Sequence, residues 1–243
     1  MTLIAAFRCR NGGILLCADR KEDDSFAVRP VDKIYRIGEL RQCQIFLAGS
    51  GTTASITDAE TDIHRSFVEA AQADRDVLAE HSSIIESSLK RIHIRHKEDL
   101  RKWPLDLLVV IAPHIPNTVP ILYRSDRSNL ISEPLYIAYG TGKTISDYFA
   151  YRLYKHGLPN DSLAVLAAFI LREAENSASG VGLGSDMVFI SSNGLLQFLH
   201  TESIEEIQAG IPPLADAISS YWNQHVTVPK WLKDYAASTD LPR

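Results

Sequence analysis

The sequence predicts an α+β protein arranged as a four-layer α-β-β-α sandwich, in which two antiparallel sheets stack face to face and helix pairs cover them. Three observations support this fold class. Short apolar runs and helical periodicity follow one another in the order strands, two helices, strands, two helices, strands. Many of the runs are continuously apolar, which indicates strands that are covered on both faces. The paired helices and an early hairpin signal favour antiparallel sheets over repeated βαβ units.

The strands are predicted from apolar runs that are bounded by turn residues. Leu3 to Phe7 and Ile14 to Ala18 flank the turn Asn11-Gly12-Gly13, and an Asn-Gly step between two such runs is a strong hairpin signal. The next run, Ile45 to Ala48, ends at the turn residues Gly49-Ser50-Gly51. The remaining predicted strands are Leu107 to Ala112, Ile121 to Tyr123, Tyr136 to Tyr139, Met187 to Ile190 and Leu195 to Leu199.

Apolar residues spaced three and four positions apart predict four helices between these strands. The predicted apolar faces are Ile63, Phe67 and Ala70; Ile85, Leu89 and Ile92; Ile145, Phe149 and Leu153; and Leu163, Ala167, Ile170 and Ala174. Asn160 or Asp161, directly after Pro159, is the predicted N-cap of the fourth helix. Residues 201–243 are predicted to form a helical or irregular extension that packs on the domain formed by residues 1–200.

The composition excludes several classes of protein. Of 243 residues, 45% are hydrophobic and 23% charged, as in globular proteins. The net charge of -5 and the lack of a dense basic block argue against nucleic acid as a partner. No apolar run approaches the ~18 residues of a membrane span, and no signal peptide is evident. Cys9, Cys17 and Cys43 are typical of reduced thiols, so we predict a cytoplasmic protein.

Three further motifs suggest ligands but fit them poorly. Gly140-Thr141-Gly142-Lys143-Thr144 ends like a P-loop, yet that motif requires glycine where Ile137 stands, so nucleotide binding is a distant alternative. Gly180-Val181-Gly182-Leu183-Gly184 lacks the GxGxxG spacing and enters a strand, which argues against a dinucleotide site. His93 and His96 lie three apart on a predicted helix with basic neighbours. We predict a solvated basic face there, no metal site and no cofactor.

Thr2 is a candidate nucleophile because it follows Met1 directly. An initiator methionine before a small residue is normally removable, and its loss would leave threonine with a free α-amine. Such an amine has a pKa of about 7.7–8.0 and can accept a proton at neutral pH. One residue would then supply both the nucleophile and its base. A threonine at the second position is commonplace, so this feature gains weight only from its context.

The context is a set of short motifs in the same chain order as those of a known family. They are Cys17-Ala18-Asp19-Arg20, Val31 to Ile37, Phe46 to Ser50, Tyr139 to Gly142 and Asn176 to Gly180. Together with Thr2 they resemble proteasome β-type subunits and the related bacterial two-ring peptidases, which are N-terminal nucleophile hydrolases. The resemblance runs from Thr2 to about residue 200, and the combination is specific although each motif is short.

The resemblance implies a role for each of seven residues. Thr2 would be the nucleophile, while a charged Lys33 close to its hydroxyl would lower the hydroxyl pKa by Coulomb attraction. Asp19 would keep Lys33 charged and oriented, and the Gly49 N–H would face the developing oxyanion. An ordinary salt bridge between Asp19 and Lys33, and a tight turn at Gly49, are the structural alternatives. The residues expected near the α-amine are Thr141, Asn176 and Ser179.

We therefore predict a threonine-type peptidase that cleaves unfolded polypeptides or peptides after removal of Met1. Because the predicted site draws on residues from Thr2 to Ser179, one domain is expected. By resemblance, the chain would form a homo-oligomeric ring, and an ATP-dependent unfoldase could be its partner. A ring subunit with weak or no catalysis is the alternative. It is favoured by Asn176, where the family has aspartate, and by the stretch Lys21 to Ser25, which lacks the family's Ala-Thr step.

Overall fold

A computed structural model describes residues 2–23, 28–40, 42–102, 104–115, 118–192, 195–214, 216–217 and 220. The strands are β1 (Leu3–Arg8), β2 (Ile14–Asp19), β3 (Lys21–Asp23), β4 (Val28–Pro30), β5 (Ile34–Glu39), β6 (Cys43–Ser50), β7 (Asp106–Pro113), β8 (Ile121–Asp126), β9 (Asn129–Ser132), β10 (Tyr136–Gly140), β11 (Ser185–Ile190) and β12 (Leu196–Leu199). The helices are α1 (Thr53–Gln72), α2 (Val77–Arg95), α3 (Lys97–Lys102), α4 (Lys143–Leu153), α5 (Asn160–Ser177) and α6 (Thr201–Ala209). These elements confirm a mixed α+β fold.

The described strands pair antiparallel in two five-stranded sheets and one separate hairpin. The first sheet has the order β10-β1-β2-β11-β12 and the second the order β5-β6-β7-β8-β9, while β3 pairs with β4. The predicted hairpin of β1 and β2 is present, with Ile4 opposite Ala18. Gly12 adopts a φ of 82° in its turn, a conformation that glycine reaches without a Cβ penalty. Antiparallel sheets were expected from the sequence, and this part of the prediction is confirmed.

One hydrophobic cluster contains side chains from both five-stranded sheets. Ile4 and Leu16 of the first sheet share it with Phe46, Leu108 and Val110 of the second, and all five are fully buried. Along each strand these residues occupy alternate positions, so their side chains point to the same face of the sheet. Removing this apolar surface from water supplies the main driving force that holds the two sheets together.

The alternate residues of the second sheet face the first helix pair. Val109 and Ile111 of β7 belong to another cluster with Ile63 of α1 and Leu89 of α2. Central strands such as β7, which is continuously apolar from Leu107 to Ala112, are therefore covered on both faces, which explains the continuous runs in the sequence. The second helix pair, α4 and α5, contacts β10, β1 and β2 of the first sheet.

Some local predictions differ from the structure. Pro159, and not Asn160 or Asp161, is the N-cap of α5, and no side chain caps its first turn. The fixed φ of proline, here -58°, suits this position, and Asp161 lies in the first turn where the helix dipole favours a carboxylate. The hairpin of β3 and β4, the strands β5 and β9 and the helix α3 were not predicted, because these short segments carry no clear hydrophobic period.

The chain divides into two compact units, Met1–Gln208 and Ala209–Arg243. In the second unit, residues 214, 216–217 and 220 are helical. Most of the predicted extension, residues 221–243, lies outside the described residues, so the single domain over 1–200 and the packing of the extension stay predictions. Among the residues that the structure does describe, no helix has both the length and the apolar character of a membrane span.

Asp106 should make the stability of the fold depend on pH. This half-buried residue begins β7 opposite Ser50, and burial raises its pKa to about 6, an effect that Lys143 partly offsets. A pKa raised on folding gives a stabilising contribution below the unfolded pKa that is lost as the pH rises through the folded pKa. We expect Asp106→Asn to raise the free energy of unfolding by about 1–2 kcal/mol at pH 7.5, allowing for solvent screening.

The gain should be much smaller at pH 4.0, where Asp106 is protonated in the folded protein. Urea unfolding of the wild type and of Asp106→Asn at both pH values measures the difference. An equal effect at the two pH values would contradict the role given to burial.

Candidate active site

Asp19, the last residue of β2, connects the groups around the start of β1. Its Oδ1 accepts hydrogen bonds from the Thr2 hydroxyl at 2.6 Å, the Leu3 N–H at 2.7 Å and the Lys33 ammonium at 2.8 Å. The hairpin register explains the first two contacts. Ile4 lies opposite Ala18, so Leu3 and the preceding Thr2 lie beside Asp19. The candidate nucleophile Thr2 and the Lys33 ammonium thus donate to the same carboxylate oxygen of Asp19.

The second oxygen of Asp19 binds only to backbone donors among the described residues. Oδ2 accepts the N–H of Lys21 at 3.0 Å and the N–H of Gly182 at 3.1 Å. Asp19 is 1% exposed, and a carboxylate buried to this extent is tolerated only when it is paired and hydrogen-bonded. Its five donors meet this requirement without a bound ligand.

Gly182 is a site residue that the sequence reasoning missed. It belongs to the turn Gly180 to Gly184, which was considered only as a dinucleotide motif. Its φ is 134°, a backbone conformation that residues with a Cβ rarely adopt, so this position favours glycine. The available signal was the repeated glycine itself, which indicates a close backbone approach when a nucleotide spacing is absent.

Lys33 lies just before β5 and is almost completely buried, with 6% of its surface exposed. Its ammonium also donates to the Lys21 carbonyl at 2.6 Å. Burial lowers the pKa of Lys33, because the charged form loses its hydration, and the Asp19 carboxylate raises it. Asp19 therefore opposes the neutralisation of Lys33 and keeps a positive charge next to the Thr2 hydroxyl.

The turn after β10 holds the backbone of Thr2. Gly140 pairs with Leu3 and has a φ of 93°, and a Cβ there would lie 2.1 Å from the Thr2 carbonyl oxygen. The Gly142 N–H donates to the same oxygen at 3.4 Å. The turn that resembles a P-loop is therefore packed against the protein's own backbone, and its Lys143 pairs with Asp147. These contacts give no support to the nucleotide-binding alternative.

Gly49 lies near the end of β6, beside the start of α1. A Cβ at this position would be 2.8 Å from Cγ2 of Ile56, so the packing of helix on strand requires glycine. Its N–H donates to the Lys33 carbonyl at 3.4 Å. A hydrogen bond of this length is weak, so a stronger acceptor such as an oxyanion can compete with the Lys33 carbonyl for this N–H.

A cleft adjoins the Thr2 hydroxyl between β3, β5 and the start of α1. Its lining residues are Thr2, Lys21, Glu22, Val31, Lys33, Tyr35, Gly49, Gly51, Thr53 and Ile56. Three of the seven predicted site residues line this cleft, and Asp19 is bonded to two of those three. A wider cavity is lined by residues that include His93, Asp106 and Arg124, and it contains none of the seven. We therefore regard the smaller cleft as the candidate active site.

The other three predicted residues do not join this network. Thr141, Asn176 and Ser179 are exposed, and Asn176 lies in the last turn of α5. The backbone carbonyl of Ser179 accepts a hydrogen bond from the Lys21 ammonium at 2.5 Å. Within the described ranges, none of these three side chains hydrogen-bonds to Thr2. Their role near a free α-amine stays a prediction.

His93 near the end of α2 and His96, the C-cap of that helix, have structural partners. His93 Nδ1 bonds to the Leu89 carbonyl at 2.9 Å, and His96 Nε2 lies 2.8 Å from the carboxylate of Asp58 on α1. The predicted solvated face is wrong for His96, whose side chain is 14% exposed because it packs on α1. Over the described part of the chain, no group of three or more histidine, cysteine, aspartate or glutamate residues could hold a metal ion.

Comparison with solved structures identifies the fold. Anbu (ancestral beta-subunit) from Yersinia bercovieri is similar with a TM-score of 0.77 and 14% identity, over 94% of this chain and 99% of that chain. The chain shares the Anbu fold. A mutant Anbu from Hyphomicrobium sp. strain MC1 is similar with a TM-score of 0.75 and 13% identity, over 94% of this chain and 100% of that chain. Anbu in a helical assembly from Pseudomonas aeruginosa has a TM-score of 0.73 and 13% identity, over 94% of this chain and 99% of that chain. No protein-family model and no curated protein matches the sequence.

These comparisons correct the resemblance that the motifs suggested. The sequence motifs resemble proteasome β-type subunits and two-ring bacterial peptidases, whereas the similar structures named above are Anbu proteins, a related but different group. The assignment to proteasome β-type subunits is therefore wrong. Identities of 14% and 13% show a common fold, and a fold by itself does not determine an activity.

The close contact between Gly140 and Thr2 can be tested with a matched pair of glycines. Gly140 and Gly157 have φ values of 93° and 95°, but nothing lies within 4 Å of a Cβ at Gly157. We expect Gly157→Ala to cost about 1–2 kcal/mol from backbone strain alone. Gly140→Ala should cost at least ~2 kcal/mol more, because it also displaces the Thr2 carbonyl. Urea unfolding measures both, and equal losses would contradict the contact.

The buried pair of Asp19 and Lys33 should be far more important for stability than an exposed one. Asp32 is the control, because it pairs with Arg20 at 2.7 Å while its side chain is 70% exposed. We expect Asp19→Asn to lower the free energy of unfolding by about 3–5 kcal/mol, since Lys33 is left buried without its counter-charge. Asp32→Asn should cost less than about 1 kcal/mol. Denaturant unfolding measures both losses, and similar values would contradict the stabilising role of the Asp19 network.

Proposed function

We propose that the protein is an N-terminal threonine hydrolase that cleaves peptide bonds, with Thr2 as the nucleophile once Met1 has been removed. One observation carries the proposal: the Thr2 hydroxyl lies 2.6 Å from a buried carboxylate that also binds a buried lysine. Replacing both members of a buried charge pair by apolar residues of similar volume is often neutral or stabilising, so stability alone does not explain such a pair. Their placement around one hydroxyl in a cleft is typical of sites where chemistry takes place.

The proposed reaction uses both functional groups of Thr2. The α-amine accepts the hydroxyl proton, Oγ1 bonds to the substrate carbonyl carbon, and the carbonyl electron pair moves to oxygen. The protonated amine then gives its proton to the leaving amine as the carbon–nitrogen bond breaks. Water attacks the resulting ester, with the amine again as base, and releases the acid. The positive charge on Lys33 stabilises the negative charge that develops on Thr2 Oγ1 as it loses its proton, and Asp19 keeps Lys33 in place.

Gly49 is the proposed oxyanion donor. Gly49 lines the cleft, and its N–H donates to the Lys33 carbonyl over a long 3.4 Å bond. A negatively charged oxygen is the better acceptor, so the N–H would donate to it as charge develops. Donors of this kind typically contribute ~3–4 kcal/mol to catalysis.

We further infer that the layers form the α-β-β-α sandwich of N-terminal nucleophile hydrolases. The cluster shared by both sheets, the packing of α1 and α2 on one sheet and the contacts of α4 and α5 with the other support this arrangement. We also propose that copies of the chain associate in a ring or a helical array, as the helical assembly of the Pseudomonas aeruginosa Anbu complex suggests. A cytoplasmic location and an ATP-dependent unfoldase partner stay predictions.

A subunit with weak or no catalysis is the second candidate. It is favoured by the exposed positions of Thr141, Asn176 and Ser179, which leave the nucleophile without the neighbours that the motifs suggested. The same assembly would then serve a structural purpose. The two candidates differ in whether the Thr2 hydroxyl reacts.

The reactivity of Thr2 is tested with an epoxyketone or β-lactone probe and intact-mass measurement. We expect a mass without Met1, one probe per chain, and loss of labelling in Thr2→Ala together with a ~10³-fold or larger loss of peptide hydrolysis. Thr61→Ala, an exposed threonine of α1, is the control and should label normally. Retained Met1, or equal labelling of Thr2→Ala, would rule out the hydrolase and favour the structural subunit.

A further inference from the structure

Glu22 places a carboxylate in the wall of the candidate active site. It lies opposite Arg29 in the hairpin of β3 and β4, and its Oε2 accepts a hydrogen bond from Arg29 Nε at 2.6 Å. The Thr53 hydroxyl, in the first turn of α1, donates to its other oxygen. The Glu22 side chain is 11% exposed, so the carboxylate is fixed in the cleft wall.

The other cations of the cleft are occupied elsewhere. The Lys33 ammonium donates to Asp19 and to a backbone carbonyl, and the Lys21 ammonium donates to the Ser179 carbonyl. Arg29, which pairs with Glu22, is itself 57% exposed. Because Arg29 is more than half exposed, water can solvate its guanidinium when another cation takes its place beside Glu22.

The lining next to Glu22 combines apolar surface with negative charge. Val31, Ile56 and the ring of Tyr35 contribute apolar groups to the cleft. Burial raises the pKa of Tyr35 to about 12, with smaller contributions in the same direction from carboxylates that include Glu22. A long side chain with an aliphatic stem and a positive end matches such a lining, because the stem packs on the apolar groups and the charge reaches the carboxylate.

We propose that the cleft selects a substrate with lysine or arginine on the acyl side of the scissile bond, with Glu22 as the partner of its charge. Arg29 is an internal competitor for the same carboxylate. An ionised carboxylate offers about four acceptor sites, so Glu22 can bind a guanidinium or ammonium while it keeps the Thr53 hydrogen bond. This inference rests on the proposed function, since it names the substrate class of that same site.

The test compares fluorogenic peptides that differ only in the residue before the scissile bond, which is arginine, lysine, leucine or glutamate. For the wild type we expect kcat/KM to be about tenfold or more higher for the basic peptides than for leucine. Glu22→Gln should reduce this ratio by about tenfold, mainly through a higher KM for the two basic peptides. Retained cleavage of the leucine peptide also shows that the variant is folded.

Arg29→Gln should change the ratio in the opposite direction, because it removes the competing cation and leaves the carboxylate for the substrate. Glu69→Gln, on α1 and outside the cleft, is the control and should leave the ratio unchanged. Preference for leucine in the wild type, or an unchanged ratio in Glu22→Gln, would overturn this inference and leave the hydrolase intact. Failure to cleave any of the four peptides, with no probe on Thr2, would overturn both.

Discussion

The need to satisfy one buried carboxylate determines the arrangement of the candidate active site. Asp19 is removed from water, so each of its oxygen atoms requires donors from the protein. These donors come from four separate stretches of chain: the start of β1, the start of β3, the residue before β5 and the glycine turn before β11. Because all of them must meet at Asp19, the strand ends and loops around it have little freedom to move apart.

The same interaction has a structural and a chemical consequence. Burial favours the neutral form of Lys33, whereas Asp19 favours the charged form, and both effects follow from the dry surroundings of the pair. A salt bridge that only joins two loops would need nothing more. Here the shared oxygen of Asp19 also accepts the hydroxyl of Thr2, so the network that stabilises the loops also positions the nucleophile candidate.

Sequence separation explains which parts of the site could be predicted. Thr2 and Lys33 bond to Asp19 across 17 and 14 residues, within one hairpin and the segment after it, so the motifs preserve their order and spacing. Gly182 reaches the same carboxylate across 163 residues, and only the folded sheet brings it there. The apolar strands were predictable from their composition. The hairpin of β3 and β4 was not, because four of its six strand residues are charged and its two strands show no apolar run.

The charges of that hairpin can change without loss of the fold. The core clusters and the Asp19 network lie in the two large sheets and the segments next to them, and their loss would destabilise the whole domain. Glu22 and Arg29 belong to the separate two-stranded hairpin, so a change in their charges alters the cleft and leaves those clusters intact. Similarity to Anbu structures at 14% identity therefore shows the scaffold, while under the proposed function the charges along this hairpin would determine which side chain the cleft accepts.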